Sequence, residues 1–462
     1  MFDFAQQIRD FDYNGLLPTA VDAENYALVL TIGVARMLAG GVAAAVLTYA
    51  GILLLAWVGF WDVQRHEDVD LEEKVMTWKQ VDVSKKEKNS DFTGPRLECP
   101  VDMSRFEMSN FIMDPKDKPL LHMLMAMVSI LVPMAALVYI LFIHANFYVA
   151  CAYGFGVFQF VRINFFMHGM LHFRHFTSHR PLFQSRLLRL LPSIFLDPIM
   201  GIPPLVFLLH HPLMHHLQNN GPYDISSTEQ YDRDSWFALA NYWFRFQIGA
   251  YIELPYYAAR TGKCAWFFAT VTVIGGFFFL LQHMAERYSG WATFCVFGMP
   301  WLLDHATDAV RNWCQHVFVA QQSHVPMETF FERNCALAYN LVDSLENRTQ
   351  YNEGYHVIHH AFPKCHWSEN PDTFYKKVEE LSRYEKDLWL LTFINSSIWE
   401  VWCHVASNKL PQLVKNHFVH IPTAARPDPP TIGEVVKELK ARLHRVDQVA
   451  EKVDSQVALM TP

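Results

Sequence analysis

HHPLMHHLQNN at residues 210–220 and YNEGYHVIHHAFPKCHW at 351–367 decide how this chain is read. Each holds histidines three or four residues apart with a further histidine adjacent: His211, His215 and His216 in the first, His356, His359 and His360 in the second. On a helix such spacings stack side chains along one face, so imidazoles from different helices can converge between them. Two further segments belong to the same pattern. HGMLHFRHFTSHR carries His168, His172, His175 and His179, and NWCQHVF carries Asn312 and His316. A single histidine beside an apolar segment is an ordinary core or interfacial residue. Four clusters together would leave many buried ring nitrogens in need of partners, and metal supplies them. One zinc ion takes about four ligands, fewer than these motifs offer, so two metals are the economical reading. Ligation by nitrogen alone points to a redox metal and oxygen chemistry, since hydrolytic two-metal sites more often contain bridging carboxylates. Asp197, Asp224 and Glu353 stand near the clusters as carboxylates able to orient ligand imidazoles.

Outward from the clusters the chain is apolar. Of its 462 residues 51% are hydrophobic and 15% aromatic, more than one soluble core would bury. The net charge of -8 comes with no basic stripe, which excludes nucleic acid as a partner. Eight scattered cysteines form no CxxC pair, so neither a zinc knuckle nor a disulfide framework is expected. The N-terminus shows no signal or transit pattern.

Residues 1–61 read as an N-terminal segment with one or two membrane helices, built on the nearly uncharged stretch 26–61. Residues 62–119 read as a charged, lysine-rich cytosolic loop. The membrane domain spans 120–402, with one transmembrane hairpin at 120–167 and a second at 265–303, the latter broken at Glu286, Arg287 and Gly290. Segments 187–209 and 236–259 suit helices lying in the interface. Residues 403–462 form a C-terminal cytosolic tail in which Ile432, Val435, Val436, Leu439, Leu443 and Val446 recur at helical spacing. That helix either packs on the cytosolic domain or binds a partner or the membrane surface. The expected fold is all-α: a multi-spanning membrane protein with two transmembrane hairpins and a cytosolic helical cap holding the metals.

The order HxxxH, HxxxHH, Asn-xxx-His, HxxHH, threaded between two hairpins, resembles the integral-membrane fatty acid desaturase and hydroxylase superfamily over residues 120–374. NEGYHVIHHAFP is similar to the final box of acyl-CoA desaturases, and NWCQH to the element in which Asn312 would hold a water at the metal. The middle box departs from the usual desaturase HxxHH by one residue. HPLMHH followed by NNGPYDISST is similar to membrane alkane hydroxylases instead.

The resemblance implies a di-iron site held by His175, His179, His211, His215, His216, His316, His356, His359 and His360. His168 and His172 are the alternative first box; His324 and His366 stay outside the ligand set. The implied enzyme uses O2 and a lipid or acyl substrate. The chain lacks an HPGG-type heme motif, so an external electron donor, cytochrome b5 or a ferredoxin, is expected, with the protein in the endoplasmic reticulum and its active site facing the cytosol. Desaturation leads. Hydroxylation or ketolation of an acyl chain, alkane, sterol or carotenoid is the alternative. A metal-binding transporter would need its sites inside the spans, whereas these boxes fall beyond the span ends.

Overall fold

The computed structural model describes residues 69–81, 132–139, a few positions from 193 to 200, and 200–445 except 222, 303–305, 321–329, 345–346, 349, 364 and 386. The expected N-terminal membrane segment, most of the charged loop and of the first hairpin, and Val446 lie outside the described residues. So do His168, His172, His175, His179 and His324.

The described chain is mostly helical with little sheet. Strand β1 (Met76–Thr77) leads, and after it come the short helix α1 (Val206–His210), α2 (Trp236–Phe244) and α3 (Ala250–Arg260). A π-helical turn, Arg245–Gly249, joins α2 to α3, so the segment expected as an interfacial helix is helical throughout. Its Phe237, Phe244, Ile252 and Tyr256 are exposed along one side.

Helix α4 (Cys264–Arg287) is the one helix among the described residues long and apolar enough to cross a membrane. Only Thr270, Ile274 and Phe277, spaced four and three apart, are buried in it, while Phe268, Val271, Phe279 and Leu280 are exposed. Its length and apolar composition suit a membrane crossing. It ends at the break expected from Glu286, Arg287 and Gly290. Ser289 caps the next helix, α5 (Gly290–Thr293), by accepting from Ala292 N–H. The Tyr139 hydroxyl, in the helical residues 132–139, bonds Thr293 Oγ1 at 2.9 Å.

Helix α6 (Ala306–Gln315), helix α7 (Phe330–Cys335), strand β2 (Asn340–Val342) and helix α8 (His356–Ala361) carry the remaining described motifs. They are followed by α9 (Asn370–Leu381), β3 (Thr392–Ile394), α10 (Ile398–Ala406), α11 (Leu410–His417), β4 (Val419–His420) and α12 (Ile432–Ala441). The sheets are two parallel pairs, β1 with β4 and β2 with β3.

One core gathers Phe207, Met214, Tyr257, Ile274 and Cys295; another sets Val357 and Ile358 of α8 against Phe374, Leu381 and Val419. The amphipathic stretch near the C-terminus is α12, opened by a capping box between Thr431 and Glu434 and buried through Ile432, Val435, Val436 and Leu439. Of its two readings, packing on the protein is the one the structure shows.

Candidate metal centre

The middle box begins on α1 and continues through a π-helical turn, His211–His215, in which the His216 N–H reaches the His211 carbonyl. This turn holds one residue more than an α-helical one. It therefore absorbs the residue by which HPLMHH exceeds HxxHH, and brings the Nε2 atoms of His211 and His216 to 3.1 Å. Asn219 and Asn220, both with positive φ, end the helix. His316 follows α6 directly, its N–H on the Asn312 carbonyl at 3.1 Å and its Nδ1 on the Leu337 carbonyl at 2.9 Å.

The third box lies on α8, entered through Gly354, whose carbonyl accepts from Leu341 N–H at 2.8 Å. A Cβ at Gly354 would stand 2.4 Å from Asn347 Oδ1, so the approach of this loop to the Asn347 side chain requires glycine.

These elements bring the described histidines into two adjoining groups. His211, His216 and His359 form one and His215, His316 and His360 the other, all buried, with the ligand atoms of each group within 4.8 Å of one another. His216 and His360 connect the groups, with ring centroids 4.5 Å apart. His356 lies beside the second group, its Nε2 3.1 Å from that of His316. His366 falls in neither group; its side chain caps the turn Trp367–Glu369 by accepting from Ser368 N–H.

The donor chemistry fits metal. His215 Nε2, His356 Nδ1 and both ring nitrogens of His360 are buried without a hydrogen-bond partner, each at a cost of about 1–3 kcal/mol if left so. Burial first, and then neighbouring imidazoles, holds His356 and His360 well below the ordinary histidine range and lowers His316 to about 3. Neutral rings are the form a metal binds.

Of the three carboxylates expected to orient imidazoles, Asp224 does so: its Oδ2 is 2.5 Å from His215 Nδ1. Burial alone would raise its pKa, but His215 outweighs that and holds it far below the carboxylate range. Glu353 accepts from Arg311 and Gln315, and Asp197 from the Ser193 hydroxyl. Asn312 donates from Nδ2 to the Ser226 carbonyl at 2.9 Å and to the Tyr242 hydroxyl at 2.7 Å. Ser226, Tyr242 and Arg233 were not singled out in the sequence. They act through contacts with residues far along the chain, which no local motif announces.

A family model described as fatty acid desaturase matches residues 145–391, more than half of the chain and a span containing every histidine motif. No curated protein and no solved structure matches.

Proposed function

Since the chain belongs to the fatty acid desaturase family, a membrane-associated family of lipid oxidoreductases, we propose that it is an O2-dependent di-iron desaturase that places a double bond in an acyl chain. The observation that carries this reading is the pair of buried, all-imidazole groups inside the matched span. His211, His216 and His359 would hold one iron and His215, His316 and His360 the other, with His356 beside the second. His175 and His179, or His168 and His172, would complete the set from the first box. When bound, the irons supply the capacity to activate O2 for oxidation of an unactivated C–H bond.

The chain's own residues do the rest. Phe207 stacks on the His211 ring, with centroids 5.3 Å apart, and covers it against water. Asp224 and the Leu337 carbonyl hold the Nδ1 sides of His215 and His316, leaving Nε2 of each to face the group. Over one turnover two hydrogens leave the acyl chain, and with two electrons and two protons from outside they reduce O2 to two waters. The electrons come from a separate donor, cytochrome b5 or a ferredoxin. The site faces the cytosol from the endoplasmic reticulum membrane, a reading supported by the lysine-rich stretch 62–119, which suits the cytosolic side.

The longer middle box, similar to that of membrane alkane hydroxylases, raises a second reading, hydroxylation of the same class of substrate. Product analysis separates the two: the lipid loses two hydrogens in one case and gains one oxygen in the other. The test of the centre itself is elemental analysis of detergent-purified protein. Two irons per chain, reduced in His359→Ala together with turnover, is the expected result. One zinc, or full turnover in His359→Ala, would overturn the assignment.

A further inference from the structure

We propose that Asp224 is a positioning residue that fixes the tautomer of His215, so that Nε2 presents its lone pair to the position shared with His316 and His360. The inference rests on the metal-binding reading above and goes beyond it by assigning how one ligand is prepared before metal arrives.

The argument lies in how the two oxygens of one buried carboxylate are used. Asp224 is fully buried. Its Oδ1 accepts from the Ser226 backbone N–H at 2.8 Å and from the Ser226 hydroxyl at 2.6 Å. Its Oδ2 faces His215 Nδ1 at 2.5 Å. A carboxylate can only accept, so the single proton of a neutral His215 is placed on Nδ1. That leaves Nε2 bare, and Nε2 is the buried atom of His215 with no hydrogen-bond partner.

The Ser226 hydroxyl is held in turn. It lies 3.1 Å from His210 Nε2 and 3.0 Å from His215 Nδ1. Donating its proton to Asp224, it accepts from His210. The first histidine of the His210–His211 pair, outside both metal groups, thus has a part in setting the orientation of a ligand four residues after His211.

The arrangement makes an unusual demand of an isosteric substitution. In Asp224→Asn the side-chain oxygen must stay on Ser226, whose backbone N–H can only donate. The amide NH2 then meets His215 Nδ1, which must accept, and the proton moves to Nε2 where the metal would bind. A residue with a purely structural role is best replaced by its isostere. Here the isostere imposes the wrong tautomer, while Asp224→Ala leaves His215 free to choose.

The test is iron content of purified full-length protein, with the rate at which a ferrous chelator removes it, for wild type, Asp224→Asn and Asp224→Ala. Affinity at the His215 group should fall by about 10–100-fold in Asp224→Asn, taking the protein from two irons toward one, and Asp224→Ala should retain more iron than Asp224→Asn. If wild type holds two irons and Asp224→Asn matches it in content and release rate, the inference fails while the metal centre stands. Asp224→Asn retaining at least as much iron as Asp224→Ala overturns it also. A wild type that binds no iron sinks both. Should Asp224→Asn not fold, 15N-histidine spectra of the metal-free wild type decide the matter. The signal absent from His215→Ala must report a proton on Nδ1, and a proton on Nε2 overturns the proposal.

Discussion

Arg233 is buried in the scaffold behind the metal centre, and replacing it with methionine should loosen that scaffold measurably. Its guanidinium donates to five backbone carbonyls: Val317 at 3.0 Å, Thr228 at 2.8 Å, Tyr231 at 3.0 Å, Arg442 at 2.9 Å and His444 at 2.6 Å. Burial lowers its pKa to about 10, which still leaves it charged at neutral pH. The carbonyls belong to the loop after the middle box, to the residue after His316, and to the end of α12. One side chain therefore ties the C-terminal segment to the site. The Tyr231 and His444 bonds are only partly buried and can be replaced by water. The other three, at about 1.5 kcal/mol or more each for bonds from a charged donor, amount to ~5 kcal/mol. Removing a buried charge recovers part of this as desolvation, and methionine keeps the apolar stem, so a net loss of about 3 kcal/mol is expected. At about 2–4 °C per kcal/mol for larger domains, the unfolding midpoint should fall by ~6–12 °C.

Truncation after Ala441 deletes the Arg442 and His444 acceptors, and the Arg442 carbonyl is also the one that receives Val319 N–H. It should be at least as damaging. Combined with Arg233→Met it should add less than the sum, because the two changes remove shared bonds. The assay is thermal unfolding of detergent-purified protein, read with iron content, since Val317 adjoins His316. A midpoint within about 2 °C of wild type for Arg233→Met, or strict additivity with the truncation, would refute the reasoning.

Gly354→Ala should cost about 1–3 kcal/mol by forcing Asn347 or the loop aside, and should lower iron content because the loop leads into His356; an unchanged midpoint and metal content would contradict this. His366→Ala removes a cap from the turn Trp367–Glu369, so about 1 kcal/mol of stability should be lost with iron content unaltered, as elemental analysis will show. Glu400 and His417 face each other at 3.3 Å. The hydrogen bond with His417 lowers the pKa of Glu400 below 4.5. Burial opposes the charged form of His417, but Glu400 outweighs it and raises its pKa above 6.5. The pair's contribution is therefore full from about pH 4.5 to 6.5, fading as pH rises through the raised His417 value or falls through the lowered Glu400 value. The midpoint deficit of His417→Gln relative to wild type should be largest in that window, and a deficit that does not change up to pH 9 would count against the pairing.

What the sequence disclosed and what it withheld divide along a physical line. The histidine boxes and the apolar face of α12 were legible because each is a local repetition, set by the turn of one helix. The end of α4 was legible for the same reason, since charge and glycine interrupt an apolar run. The strands were not: at two or three residues they carry no period-two signal, and their pairing joins Met76 to Val419 and Asn340 to Thr392. Among the supports of the site, Asp224 was legible as a carboxylate close to the middle box, but the long-range contacts were not. Arg233 reaches Arg442, Asn312 reaches Tyr242, and Gly354 meets Asn347 through contacts that composition does not encode.

The middle box lies between these cases. Its extra residue was visible, and on a regular α-helix it would turn His216 away from His211, five residues before it. The π-helical turn resolves the conflict in the backbone, widening one turn by one residue so that His211 and His216 still meet. A change in motif spacing is thus compensated by a change in helix type. For that reason HPLMHH does not by itself separate a hydroxylase from a desaturase: the imidazoles arrive at one place by either route, and the distinction must come from how the substrate is held.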